Sequence, residues 1–148
     1  TEAVLRAAHD FVDALADLSV DERREEKAAM RRRLFECLDS NREEVPLATI
    51  AAAVSPSAPD AFLEHVRNRP EGDGYNLDDR FKPNRASYIG LKRLRGKMGT
   101  VSLSFDVADV QSERVRYDTN TDSVILQSPS ELLKQSILEH APNPDQQP

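Results

Sequence analysis

The apolar positions change period partway along the chain. In the first half they recur at helical spacing. Val4, Ala8, Phe11, Leu15 and Leu18 alternate steps of four and three, drawing one stripe down a first helix. Ser19 opens a second helix, and Glu22 completes a capping box in which hydroxyl and carboxylate each take a free amide of the first turn. Met30, Leu34, Cys37 and Leu38 form its predicted buried stripe. Asp21, Glu22, Glu25 and Glu26 crowd its start, and Arg31, Arg32 and Arg33 follow, the order that the helix dipole favours. The triple arginine reads as a solvated face paired with glutamates one turn away. A short third helix over Leu47 to Val54 turns Leu47, Ile50, Ala51 and Val54 inward, and Pro56 and Pro59 break it. A fourth spans Asp60 to Arg69 with Phe62, Leu63 and Val66 apolar, and Pro70 stops it. The last two helices have the order of a helix-turn-helix, but Asp60 and Glu64 on the second would repel phosphate, so packing is the better reading.

"PEGDGYN" is a loop by its Gly, Pro and Asp content, and Leu77 and Phe81 beyond it are expected to anchor on the core. The period then drops to two. Val101, Leu103, Phe105 and Val107 alternate with Ser102, Ser104 and Asp106, so one face of a strand is buried and one is wet. Val115 and Tyr117 alternate with Arg114 and Arg116, "DTNTD" turns the chain, and Val124 and Leu126 continue the apolar face. Ile89 to Arg95 is the expected first strand. A closing helix is signalled by Ser128 as N-cap, Pro129 in the first helical position and Glu131 completing the box, with Leu132, Leu133, Ile137 and Leu138 to pack it. The fold class is therefore α+β: a helical subdomain of about four helices (1–70), an antiparallel meander of three or four strands with a closing helix (71–140), and a disordered tail (141–148).

Composition narrows the function. At 148 residues, 39% hydrophobic and 31% charged, the chain suits a soluble globular protein, and its apolar runs fall short of the roughly 20 residues of a membrane helix. The opening "TEAVLRAAHDFVDAL" reads as an amphipathic helix rather than a leader. Cys37 stands alone, without a disulfide framework or thiolate cluster, which points to a reducing cytosol. His9, His65 and His140 lack zinc-site spacing, so no metal or cofactor is expected. Net charge is −6, yet Arg80, Lys82, Arg85, Lys92, Arg93, Arg95 and Lys97 form a window with no acidic residue, while the rest of the chain holds all 26. A local patch of this kind sets the field that a partner meets.

Gly90 to Lys97, "GLKRLRGK", approaches a nucleotide-binding P-loop. Five residues separate its glycines instead of four, Met98 stands in place of a hydroxyl residue, and a strand follows where a helix is needed. No carboxylate pair, serine elbow or Cys–His pair has a catalytic context, so no enzyme is expected. What remains is a basic hairpin turning near Lys97 to Gly99. Lys92, Arg93, Arg95 and Lys97 project from it, and Ser102, Ser104, Arg114 and Arg116 lie on the wet face of the following strands. Hydroxyls beside guanidinium groups hold phosphate without reading sequence. Basic side chains on a sheet edge also deter aggregation, and charge alone leaves both roles open.

The second half, "GYNLDDRFKPNRASYIGLKRLRGKMGTVSLSFD", "ERVRYDTNTDSVIL" and "PSELLKQSI", resembles the C-terminal half of the NdpA/YejK-type bacterial nucleoid-associated proteins. The ordered matches are Gly74 to Leu77, Phe81 to Arg85, Gly96 to Gly99, Leu103 to Asp106, Glu113-Arg114, Tyr117-Asp118, Thr121-Asp122 and Pro129 to Leu132. "LRAAHDFVDAL" and "VPLATIAAAVS" in the helical half also follow the family order. Three positions depart from the pattern: the Gly-rich turn is reduced to Gly-Lys-Met-Gly, Ser112 stands where Gly usually precedes Glu-Arg, and Arg116 replaces an aromatic or apolar residue. The resemblance implies a cytoplasmic, nucleoid-associated protein that binds double-stranded DNA with little sequence preference and is not an enzyme. Charge assigns the contact to Lys92, Arg93, Arg95 and Lys97, with Arg114 and Arg116 secondary and Arg80, Lys82 and Arg85 completing the patch. The alternative is a protein-interaction or dimerisation module, pairing with itself or with other nucleoid proteins, whose DNA contacts lie elsewhere. Neither a membrane nor a small-molecule substrate is expected.

Overall fold

The computed structural model describes residues 1–68 and 74–142, which fall into two compact units, Thr1–Phe105 and Asp106–Pro148. The first unit opens with helices α1 (Glu2–Asp13) and α2 (Val20–Ser40), followed by a two-residue strand β1 (Val45–Pro46) that runs into α3 (Leu47–Val54) and α4 (Pro59–Arg67). Strand β2 (Arg80–Phe81) pairs antiparallel with β1, Val45 opposite Phe81 and Pro46 opposite Arg80. A short helix α5 (Arg85–Tyr88) and a 3-10 turn (Ile89–Leu91) lead to the hairpin of β3 (Arg93–Met98) and β4 (Val101–Asp106). The predicted stop at Arg69 and Pro70, the start of the Pro70–Asn76 loop and the last six residues of the tail lie outside the described residues.

The core sits among the helices. Val4, Ala7, Ala8, Phe11 and Val12 of α1 meet Met30, Leu34 and Leu38 of α2, with Ile50, Ala51 and Val54 of α3 and Phe62 of α4 closing the layer. Cys37 of the predicted stripe is only half-buried. The α1 stripe is shorter than its pattern. The helix ends at Asp13, Asp17 takes a left-handed backbone (φ 63°), and Leu15 and Leu18 reach the linker rather than a longer helix. The capping box at Ser19 is present in both directions, Glu22 N–H donating to Ser19 Oγ (3.1 Å) and Ser19 N–H to Glu22 Oε2 (2.7 Å). Pro59 occupies the first position of α4, where its missing N–H costs nothing.

Arginines of α2 hold the other elements by their carbonyl ends, which a helix leaves without internal partners. Arg23 donates to Asp13 O and to Leu15 O (3.0 Å), closing α1. Arg33 donates to Ala53 O (2.8 Å) and Val54 O (3.2 Å), closing α3, and pairs with Glu26 at 2.8 Å. Arg31 donates to Gly90 O (2.8 Å) in the 3-10 turn. This corrects the reading of the triple arginine as a solvated face paired with glutamates one turn away. Of the three, only Arg32 is exposed, and the glutamate that Arg33 meets is Glu26, two turns back.

A second polar tie crosses the core. The Tyr75 hydroxyl donates to Asp10 Oδ2 (2.7 Å) and lies 3.2 Å from His65 Nε2, while Phe11 meets Phe62 and His65 edge-on at 5.6 Å. A phenol this buried needs such a partner.

The second unit, taken by itself, contains a short helix α6 (Val107–Gln111), an antiparallel hairpin of β5 (Val115–Asp118) and β6 (Ser123–Leu126), and α7 (Glu131–His140). Helix α6 replaces the expected continuation of the strand through Val107. Asp106 accepts from Ala108 N–H (2.9 Å) and Asp109 accepts from Asp106 N–H (3.0 Å), so paired carboxylates start a helix there. Register puts Val115, Tyr117, Val124 and Leu126 on one face as the alternation predicts, but only Val115 is buried. Asp118 caps its own turn, accepting from Asn120 N–H at 2.9 Å. Helix α7 begins two residues later than expected. Ser128 adopts a left-handed backbone (φ 58°), and Ser130 is the N-cap, accepting from Leu133 N–H (3.2 Å). No residue of α7 is buried: Leu132, Leu133, Ile137 and Leu138 are 52–77% exposed, against the expectation that they pack.

The α+β class and the order of helices, hairpins and closing helix match the sequence reading. The strands, however, pair two by two instead of forming one meander. The reason lies between them. Ile89 to Leu91 coil into a 3-10 turn, and α6 follows β4 directly in the chain, so among the described residues each strand has one neighbour.

Arg33→Ala removes two carbonyl contacts at the end of α3 and is expected to lower unfolding free energy by about 1–3 kcal/mol. Arg32→Ala, one residue away and exposed, is expected to stay within about 0.5 kcal/mol. Urea denaturation of both variants tests the assignment, and equal effects would refute it.

Candidate nucleic-acid interface

The seven-residue basic window divides into two groups. Arg80, Lys82 and Arg85 are neutralised at close range by carboxylates far away in sequence. Arg80 pairs with Glu44 (3.0 Å), Lys82 with Glu43 (3.1 Å) and Arg85 with Asp39 (3.7 Å). The β1–β2 pairing causes this by laying the residues before Val45 alongside those around Arg80. Such exposed pairs contribute little stability, about 0–1 kcal/mol each, but they cancel charge locally. Sequence reading missed these carboxylates. The only signal available was the Glu43-Glu44 doublet ahead of an apolar run.

The remaining four cations sit on or beside the β3–β4 hairpin. Lys92 lies over the Phe35 ring, 5.4 Å from its centroid. Arg93 donates to Ser104 Oγ at 3.0 Å. That bond fixes which side chains share a face. Strand alternation places Arg93, Arg95 and Lys97 with Ser102 and Ser104 on one side, and Leu94, Met98, Val101, Leu103 and Phe105 on the other. Arg95 and Lys97 are exposed and have no carboxylate partner among the described residues. With Gly96, Ser102, Leu103 and Ser104 they line an open recess of about 530 Å³. The turn is Gly99-Thr100, with Gly99 left-handed (φ 61°), a conformation that glycine adopts without strain. Lys97 is thus followed by a turn and a strand, unlike the lysine of a P-loop.

Arg114 and Arg116 belong to the second unit. Arg114 faces Asp109 at 3.5 Å, and Arg116 pairs across the hairpin with Ile125 on the side away from Val115 and Tyr117. Arg116 also helps to hold the Asp118 carboxyl below its ordinary range, after the backbone amides of the turn.

Burial pushes the Cys37 thiol up, away from the reactive thiolate. Burial first, and then Arg31 and Lys27, hold His9 below its usual value, so it stays neutral near pH 7. Among the described residues no three His, Cys, Asp or Glu side chains converge as metal ligands would. None of the described helices is long and apolar enough to cross a membrane.

The chain matches the family of the nucleoid-associated protein YejK over residues 1–134, and it belongs to that family. A nucleoid-associated protein of Shewanella sp. (strain W3-18-1) is 28% identical over 139 residues, covering 92% of this chain and 38% of the relative. Nucleoid-associated proteins of Shewanella frigidimarina and Azotobacter vinelandii are each 30% identical, covering 92% and 91% of this chain and again 38% of their own length. The chain therefore spans about two fifths of the length of these relatives.

Asp39 joins the neutralised half of the window to the core. Its carboxylate accepts from Arg42 (3.0 Å) and from the buried Tyr88 hydroxyl (2.9 Å), and these bonds, Arg42 first, hold it below the ordinary carboxylate value of 3.8. A lowered folded pKa contributes stability that is present above the unfolded value and lost as pH falls through the folded one. In urea unfolding from pH 5 downward, Asp39→Asn is therefore expected to flatten the loss of stability below about pH 4 relative to the parent. Identical acid limbs would show that this carboxylate carries no coupling.

Proposed function

We propose that this chain takes part in nucleoid association as a non-enzymatic, sequence-independent binder of double-stranded DNA in the cytoplasm, with the β3–β4 hairpin as the contact. The observation that carries the reading is the one-sided hairpin. Arg93, Arg95 and Lys97 share a face with Ser102 and Ser104, and Arg95 and Lys97 keep their charge uncancelled in a protein of net charge −6. Cations bind phosphate and release its counterions, and hydroxyls add hydrogen bonds that carry no base information. Lys92 flanks the hairpin base. Arg114 and Arg116 are secondary contacts. Arg80, Lys82 and Arg85 contribute least, because Glu44, Glu43 and Asp39 compete with phosphate for them. The names of the relatives support the nucleoid context.

A second reading rests on α7. Its four exposed Leu and Ile side chains favour a role in protein contact, with a second copy or with other nucleoid proteins, and DNA held elsewhere.

Fluorescence anisotropy with a mixed-sequence duplex across salt separates the two. With three or four phosphate contacts, log affinity is expected to fall against log salt with a slope of about −3. Changing both Arg95 and Lys97 to Ala should make that slope shallower by about 2 and weaken binding to all sequences alike. No binding by the parent chain at low salt refutes the DNA reading, and binding indifferent to the double change moves the site off the hairpin. Light scattering on the same samples tests the second reading: a strictly monomeric chain that binds DNA removes self-association.

A further inference from the structure

The face of the hairpin opposite its cations is apolar, and its exposure is concentrated at the tip. Leu94, Leu103 and Phe105 are half-buried, whereas Met98 is 45% and Val101 51% exposed. These two residues flank the Gly99-Thr100 turn, so they form the leading end of the ribbon. Gly96 lies behind them on the same face, and nothing approaches within 4 Å of where its Cβ would stand. A surface placed against that face therefore meets the tip first and bare backbone behind it.

We propose that Met98 and Val101 form an apolar wedge that enters the minor groove of duplex DNA, seats against a base step and bends the duplex. The proposal rests on the DNA-binding reading above and adds a mechanical role to it. Charge complementarity selects the occupant. The wedge is bordered by Lys97 and Arg95, which have no carboxylate partner among the described residues. An apolar protein partner gains nothing from two uncompensated cations at its edge, whereas in a groove the apolar tip meets base and sugar edges while long basic side chains reach the phosphate rims. The dimensions suit this. Each six-residue strand extends about 20 Å, well beyond the roughly 7.5 Å depth of the minor groove, and the groove's width of about 6 Å takes the side chains of the tip and not the whole ribbon. Methionine is among the side chains that part stacked bases, and its unbranched thioether adapts to an irregular gap. Bending lets a short ribbon bring more of its basic face to phosphate, which suits binding without sequence preference.

The test uses a mixed-sequence duplex of about 30 base pairs with a donor and an acceptor dye at its ends, reporting bending by energy transfer and binding by anisotropy. The parent chain is expected to bind and to shorten the end-to-end distance. Met98→Ser with Val101→Ser should bind about tenfold more weakly, keep the parent's salt slope because the cations remain, and lose the distance change. Met98→Leu should retain bending, and thermal melting of each variant reports folding. Binding without bending by the parent, or equal bending by the double Ser variant, overturns the wedge and leaves the DNA reading standing. Absence of binding by the parent overturns both. A double Ser variant that binds and bends like the parent but loses a chain–chain association seen by light scattering assigns the tip to a second copy instead.

Discussion

Backbone carbonyls at the ends of α1, α3 and the 3-10 turn would lack partners if left alone, and α2 supplies a guanidinium to each. The first unit depends on this arrangement. The apolar stripe of α2 is narrow, since only Met30, Leu34 and Leu38 are fully buried along its 21 residues. So narrow a stripe fixes which side of α2 faces inward but holds neighbouring helices loosely in register along it. Arg23, Arg31 and Arg33 add the missing constraint, because a planar donor fork reaches a carbonyl only from a limited set of positions. Hydrophobic burial provides the driving force, and the arginines set the alignment.

The same economy governs the basic window. A run of seven cations in an acidic protein looks like one surface, but folding sorts it by distance to carboxylates. Where β1 meets β2, Glu43 and Glu44 reach the cations first. On the hairpin, Arg95 and Lys97 meet no carboxylate among the described residues, and their charge stays available.

Much of the first unit was legible in the sequence because its signals are local. The Ser19–Glu22 box, the Leu47–Val54 helix and the core residues Ile50 and Phe62 follow from spacing and capping alone. Alternation from Val101 to Asp106 likewise marked β4 and its two faces. What was not legible depends on partners distant in sequence. The carbonyls that Arg31 and Arg33 reach lie 59 and 20 residues away, so the arginines read as surface charge. The carboxylates that neutralise Arg80 and Lys82 lie 36 and 39 residues back. In the last stretch the local signal misled: Ser128, Pro129 and Glu131 read as a cap, but Ser128 takes a left-handed backbone and Ser130 caps the helix. The apolar pattern of α7 predicted burial, but periodicity records only that a face is apolar and not that this chain covers it.

The acceptors in these arginine bonds are backbone carbonyls, and this has an evolutionary consequence. A carbonyl is present whatever residue carries it, so Gly90 can be replaced without losing the bond from Arg31, and open space where its Cβ would stand removes the steric objection as well. The donor has no such freedom, since lysine cannot reproduce the planar fork. Selection on this contact acts on one partner only. Correlated substitution, which reveals paired side chains across a family, would therefore not register the bond that ties the hairpin's base to the middle of α2.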